Sequence, residues 1–180
     1  MVYVHFAEGF EEIEAVTIVN VLRRAEIEAV TVSVTGDKTV RGSRGIPVCT
    51  DILFDEADYS DCEMIILPGG MPGTTNLLEH GGLMEKIKSF GEEKKYLAAI
   101  CAAPMIFGKL GLLKGKKATI YPGMEENLVG AKSTGGRIVI DENIITSKGP
   151  GTTMEFALAL VGLLKSKELA AQIRKRLLVE

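Results

Sequence analysis

Three cysteines, Cys49, Cys62 and Cys101, and two histidines, His5 and His80, are among the residues of this sequence best suited to nucleophilic or proton-transfer chemistry. Cys101 stands apart by its neighbours. It follows the apolar run Tyr96-Leu97-Ala98-Ala99-Ile100, precedes a helical pattern, and has Ala99, Ala102 and Ala103 around it. A nucleophile elbow needs such small residues, because strand and helix pack too closely for bulk and the turn pushes the reactive side chain outward. A thiol at a helix start also faces free N–H groups and the positive end of the helix dipole, which favour thiolate. The other reading of the same residue is a buried structural cysteine. Cys49 and Cys62 lack this setting and read as structural.

Glu14 is the second unusual residue. Its spacing places it on the helical face of Ile18, Val21 and Ala25, so its carboxyl looks inward. Burial would raise its pKa and leave it protonated, able to donate a hydrogen bond to a thiolate or a substrate oxygen. The alternative is an exposed first-turn glutamate supporting the helix dipole, and Glu11 and Glu12 are read that way. The turn Pro68-Gly69-Gly70 exposes backbone N–H groups, and those of Gly70 and Ala102 are candidates for an oxyanion hole. Thr152-Thr153-Met154-Glu155 reads first as a capping box, with Thr152 capping and Glu155 reciprocating. His5, inside the first strand, reads as a core histidine and His80 as a solvated one; neither is placed as a general base for Cys101. A GxGxxG fingerprint, a Walker-type lysine loop and a close metal-ligating cluster are all missing, so no cofactor and no metal are expected.

These residues need a scaffold. Short β-branched or apolar runs at 2–6, 29–34, 64–67, 96–100, 118–120, 137–140 and 144–146 read as strands. Helical patterns cover 11–25, 83–93, 102–110, 153–165 and 168–177. Their alternation predicts an α/β fold, a doubly wound parallel sheet sandwiched by helices. In such a sheet, sites form beyond the carboxyl ends of strands. Four handovers qualify: 6–9 leading to Glu14, 67–70, 100–104 and 147–151. Residues 36–55, punctuated by glycine, suggest a small hairpin or edge excursion.

The 180 residues, 46% hydrophobic, suffice for one sizeable core, and no linker or repeat divides them, so a single domain over 1–180 is expected. The 21 basic and 24 acidic residues are spread evenly, giving a net charge of -3 and no footprint for nucleic acid or an anionic membrane. The N-terminus lacks the basic segment and apolar run of a signal peptide, and no stretch is apolar enough for a membrane span. A cytoplasmic location is expected. An odd cysteine count without CxxC argues against a disulfide framework or a structural zinc site.

Taken together, residues 98–104 around Cys101, Gly9-Phe10-Glu11-Glu12-Ile13-Glu14, Leu67-Pro68-Gly69-Gly70 and Thr146-Ser147-Lys148-Gly149-Pro150-Gly151-Thr152 resemble the ThiJ/PfpI family, in particular the branch containing the Parkinson-disease protein deglycase and its bacterial relatives. The resemblance runs nearly end to end, with the motifs in the family's order. It implies a flavodoxin-like sandwich of the class I glutamine amidotransferase-like kind. Cys101 would be the nucleophile and oxidation-sensitive thiol, and Glu14 its protonated partner and general acid/base. Gly69, Gly70 and Ala102 would line the substrate pocket. Arg44 matches an arginine that approaches the pocket from a partner subunit, and Arg24 one near the interface of a homodimer. The implied activity is on reactive carbonyls: methylglyoxal or glyoxal to hydroxy acid, or deglycation of their early adducts. The alternative is an oxidation-sensing protein or redox-regulated chaperone without turnover. Two departures stand out. Tyr121 occupies a place where many relatives carry histidine. Ala102 follows the cysteine where the protease-like branch has histidine, which disfavours a peptidase.

Overall fold

In the computed structural model, which describes residues 1–179, the chain runs β1 (Val2–Phe6), α1 (Glu12–Arg24), β2 (Ala29–Ser33), β3 (Thr39–Arg41), β4 (Pro47–Cys49), β5 (Ile52–Leu53), β6 (Met64–Leu67), α2 (Gly73–Glu79), α3 (Gly81–Glu92), β7 (Tyr96–Ile100), α4 (Pro104–Lys109), β8 (Lys117–Ala118), β9 (Lys132–Ser133), β10 (Ile138–Asp141), β11 (Ile144–Ser147), α5 (Thr153–Leu164) and α6 (Lys167–Arg176). The main sheet has the order β10-β11-β7-β6-β1-β2-β5. Every neighbouring pair is parallel except β10 with β11. The chain goes from β1 outward to β2, then returns to place β6 on the other side of β1. The strand order therefore reverses between β1 and β6, the point at which a doubly wound sheet opens a crevice at its carboxyl edge.

Period-two alternation builds two cores. Val2, Val4, Phe6, Met64, Ile66, Ala98 and Ile100 pack on one face beneath α1 and α5, while Tyr3, Ile65, Leu67, Leu97 and Ala99 pack on the other beneath α2, α3 and α4. Both faces are covered, which is why these strands read as unbroken apolar runs. Helix α1 buries Ala15, Ile18, Val21 and Leu22 completely. Each of the larger three contributes roughly 1.5–3 kcal/mol of burial free energy. Glu11 caps the helix, its carboxylate accepting the Glu14 N–H at 2.7 Å.

Several expectations need correction. Helix α2 forms where the sequence pattern shows no helix, because Gly-Thr-Thr-Asn-Leu-Leu-Glu carries little apolar periodicity. The helix expected over 102–110 begins only at Pro104, a residue suited to a first turn, and residues 101–103 form a turn before it. The strand expected at 118–120 shrinks to β8, which pairs with β9 in a separate small ribbon. Residues 36–55 do form a hairpin, β3 with β4, and then add β5 to the sheet edge. The capping box at Thr152 is absent: its hydroxyl lies 2.7 Å from Ser147 Oγ and also bonds the Gly149 backbone, while Glu155 pairs with Arg137. His80 is half-buried and caps α3, its Nδ1 accepting the Leu83 N–H. Among the described residues no helix is long and apolar enough to cross a membrane.

Candidate active site

Cys101 directly follows β7 and sits at φ +62°, a left-handed conformation that costs a non-glycine residue about 1–2 kcal/mol. Its backbone holds it there. Its N–H donates to the Ser147 carbonyl at 3.1 Å, and its carbonyl accepts the Tyr121 N–H at 2.9 Å. The next turn closes through Ala103 N–H to the Ile100 carbonyl. Such an over-determined strained residue at a sheet's carboxyl edge is the geometry of an elbow that projects its side chain.

Glu14 enters from the first turn of α1 and is completely buried. Its Oε2 accepts the Gly69 N–H at 2.7 Å. The same Gly69 accepts the Glu11 N–H at its carbonyl, so one residue pins both the start of α1 and its inward carboxyl. Among the described residues Glu14 Oε1 is buried with no hydrogen-bond partner of good geometry, although the carboxyl and the Cys101 thiol interact. Gly69 must be glycine: a Cβ there would lie 2.5 Å from Cys101 Cβ and 2.9 Å from Glu14 Oε2. Gly70, at φ +91°, and Ala102 flank the thiol, and their backbone N–H groups favour its ionised form.

Burial pushes the Glu14 carboxyl up to about 7, against the opposing pull of the Gly69 N–H. Burial, then the negative charge of Glu14, pushes the Cys101 thiol up to about 12, while the Gly70 and Ala102 N–H groups oppose the rise. This corrects the expectation of a thiolate favoured by a helix terminus. Helix α4 is only six residues long and starts three positions beyond Cys101. Two acids in contact instead share one negative charge between about pH 7 and 12, and the remaining proton belongs to the pair.

The structure thus brings Cys101, Glu14, Gly69, Gly70 and Ala102 together. It leaves Arg44 apart, exposed on the β3–β4 loop, and among the described residues no side-chain bond joins it to the cluster. Glu12, expected to be exposed, is buried instead: it accepts the Arg44 N–H at 2.7 Å and bonds Ser43 and Ile46, fixing that loop against α1. Arg24 is exposed on α1 and bonds Asn20. His5 is buried beside Tyr59 and held neutral, its pKa driven to about 3 by desolvation. Neither histidine bonds to Cys101 or Glu14. Cys62 is buried as expected, whereas Cys49 is exposed on the hairpin.

Two neighbours of the thiol had no assigned part. A Cβ on Gly149 would sit 4.0 Å from Cys101 Sγ and 3.2 Å from the Tyr121 ring, so thiol, ring and glycine meet at one point. Beyond them opens a cleft of about 390 Å³ lined by Tyr121, Arg137, Lys148, Gly149 and Thr152, among others. The signal available in the sequence was the handover at 147–151, at the end of β11 beside β7. Among the described residues no group of three or more His, Cys, Asp or Glu side chains is disposed to hold a metal.

The DJ-1/PfpI family model matches residues 1–163. Protein DJ-1 homolog B of Arabidopsis thaliana is 40% identical over 179 residues; the match covers 99% of this chain but 41% of that protein, so the chain spans under half its length. The Parkinson disease protein 7 homolog of Danio rerio is 35% identical over 178 residues, covering 97% of this chain and 94% of the relative. The solved structure described as "Toxoplasma gondii DJ-1, oxidized" superposes with a TM-score of 0.93 at 38% identity, covering 98% of this chain and 97% of the other.

Proposed function

The chain belongs to the DJ-1/PfpI family, and from that membership we propose that it is a cofactor-independent cysteine enzyme acting on reactive carbonyls, converting methylglyoxal or glyoxal, or their early adducts, to a hydroxy acid. One observation carries the reading: a buried carboxyl that titrates near neutrality lies against a thiol on a strained elbow. A pair holding one negative charge and one mobile proton can attack a carbonyl and then relocate protons without another base.

The steps balance within the site. The sulfur bonds the aldehyde carbon while the pair's remaining proton rests on Glu14, and the carbonyl oxygen takes up negative charge. The Gly70 and Ala102 N–H groups, which favour the ionised sulfur in the resting site, are the donors available to that oxygen. Glu14 supplies the proton that completes the hemithioacetal, then moves a proton from the aldehyde carbon to the neighbouring carbonyl by way of an enediol. The first carbon is oxidised and the second reduced, which yields a hydroxyacyl thioester with no outside electron carrier. Water hydrolyses it to lactate, or to glycolate from glyoxal, and restores the thiol. The test is a product-resolved methylglyoxal assay of the wild type, Cys101→Ala and Glu14→Gln. Lactate formation by the wild type, lost in both variants, supports the proposal. Equal rates in Cys101→Ala and the wild type refute it.

The second reading is oxidation sensing. The Gly70 and Ala102 N–H groups and the Glu14 carboxyl all act on the sulfur and are the donors a sulfinate there would use. Selective addition of two oxygens at Cys101 under mild peroxide, without lactate turnover, is the result that favours it.

We further propose a homodimer built on α1. Ile13 (58% exposed) and Val16 (47%) on that helix and Ile46 (56%) on the adjoining hairpin are exposed large hydrophobic residues, and Glu12 holds the Arg44 loop beside them. Sedimentation of Ile13→Glu tests this: the wild type should be dimeric and the variant monomeric.

A further inference from the structure

The cleft beside Tyr121 has no part in the carbonyl steps, yet it shares Gly149 and Tyr121 with the surroundings of the thiol: a Cβ on Gly149 would lie 4.0 Å from Cys101 Sγ. Methylglyoxal and glyoxal have five and four heavy atoms, whereas the open cleft, of about 390 Å³, has room for a larger group beside them. Its charge is unbalanced. Arg137 is satisfied by Glu155, which receives its Nε and Nη2, and by the Gly151 carbonyl. Lys148 is half-buried, and its ammonium meets the Gly135 carbonyl at 3.3 Å. Among the described residues it forms no ion pair. An ammonium has three donors, so two remain for a ligand.

We propose that this cleft binds the departing half of a carbonyl adduct and selects for a carboxylate on it, with Lys148 recognising the charge and the Tyr121 ring walling the path from the thiol. The inference rests on the carbonyl-directed reading above and names the substrate class for that site. A single uncompensated cation matches a monoanionic carboxylate; a phosphate dianion would call for a second, and Arg137 is already neutralised. In such an adduct the aldehyde carbon carries a hydroxyl and the sulfur or nitrogen of the carrier. The Cys101 sulfur bonds that carbon as the carrier's bond to it breaks, and the carrier leaves with the proton given up by the thiol and passed through Glu14. What remains on Cys101 is the same hemithioacetal that free methylglyoxal forms.

The test uses two hemithioacetals of methylglyoxal, one made with N-acetylcysteine and the other with its neutral amide, each with thiol in excess. Lactate formation from both, and from methylglyoxal alone, is measured as kcat/KM for the wild type, Lys148→Met and Lys148→Arg. The wild type should favour the carboxylate form about tenfold, the size of one charge-assisted contact. Lys148→Met should bring the ratio close to one, and Lys148→Arg should restore most of it. A wild-type ratio near one, or a preference that survives Lys148→Met, overturns the proposal. Lactate from free methylglyoxal without charge discrimination overturns this inference alone, whereas no lactate from any substrate overturns the enzyme reading on which it rests.

Discussion

The Gly69 amide holds the Glu14 carboxyl at 2.7 Å while its bare Cα leaves the space in which the Cys101 side chain stands. One residue thus orients the acid and leaves room for the thiol. Gly69→Ala sets a methyl against Cys101 Cβ, Glu14 Oε2 and the Ile100 carbonyl, atoms that cannot all retreat. Overpacking of this kind costs about 1–3 kcal/mol of stability. The variant should remain folded by circular dichroism but lose lactate formation by about a hundredfold or more, because reacting groups displaced by an ångström lose that much.

The shared charge of Glu14 and Cys101 sets the pH dependence. Below about pH 7 both groups are protonated and the thiol has no acceptor for its proton. The kcat/KM for methylglyoxal should therefore rise through about pH 7 and stay level above it. In Glu14→Gln the inflection near 7 should vanish with most of the activity. A wild-type profile that is flat from pH 5 to about 9 would contradict this assignment.

Stability should move the opposite way. Below the ordinary value of 4.5 Glu14 is protonated whether the chain is folded or not, and burial is then least costly. As pH rises past 4.5 the unfolded carboxyl ionises while the buried one does not, so stability is lost until the folded group ionises near 7. The loss amounts to about 3 kcal/mol. Denaturant titrations of Glu14→Gln and the wild type, near pH 4 and again near pH 9, should show the variant gaining on the wild type by about that much at the higher pH.

Cys101 also carries backbone strain, and its release can be measured. A glycine in place of alanine normally destabilises by about 0.5–1 kcal/mol through chain entropy. At φ +62° that order should invert, with Cys101→Gly melting at or above the temperature of Cys101→Ala. A Cys101→Gly variant clearly less stable than Cys101→Ala would mean that the elbow relaxes once the sulfur is removed.

The sheet and the elbow at Cys101 were legible from local residue patterns alone. Short unbroken apolar runs such as Met64–Leu67, closed by Pro68-Gly69-Gly70, read as strands buried on both faces, and Ala99, Ala102 and Ala103 around one cysteine mark a tight strand-to-loop junction. It also placed Glu14 on the inward face of α1, since a helical period of 3.6 residues fixes direction without knowledge of the partner. What the glutamate would meet was not legible, because Glu14, Gly69 and Cys101 come together only when the strand order reverses beside β1. Tertiary structure likewise overruled local chemistry. Glu12 looked like a solvated first-turn acid until the hairpin loop supplied two N–H donors and a hydroxyl, and Thr152 looked like a cap until Ser147 and Gly149 claimed its hydroxyl. The thiol's titration was decided there too: burial and an adjacent carboxyl act through space over a few ångströms, and neither is written in the residues flanking Cys101.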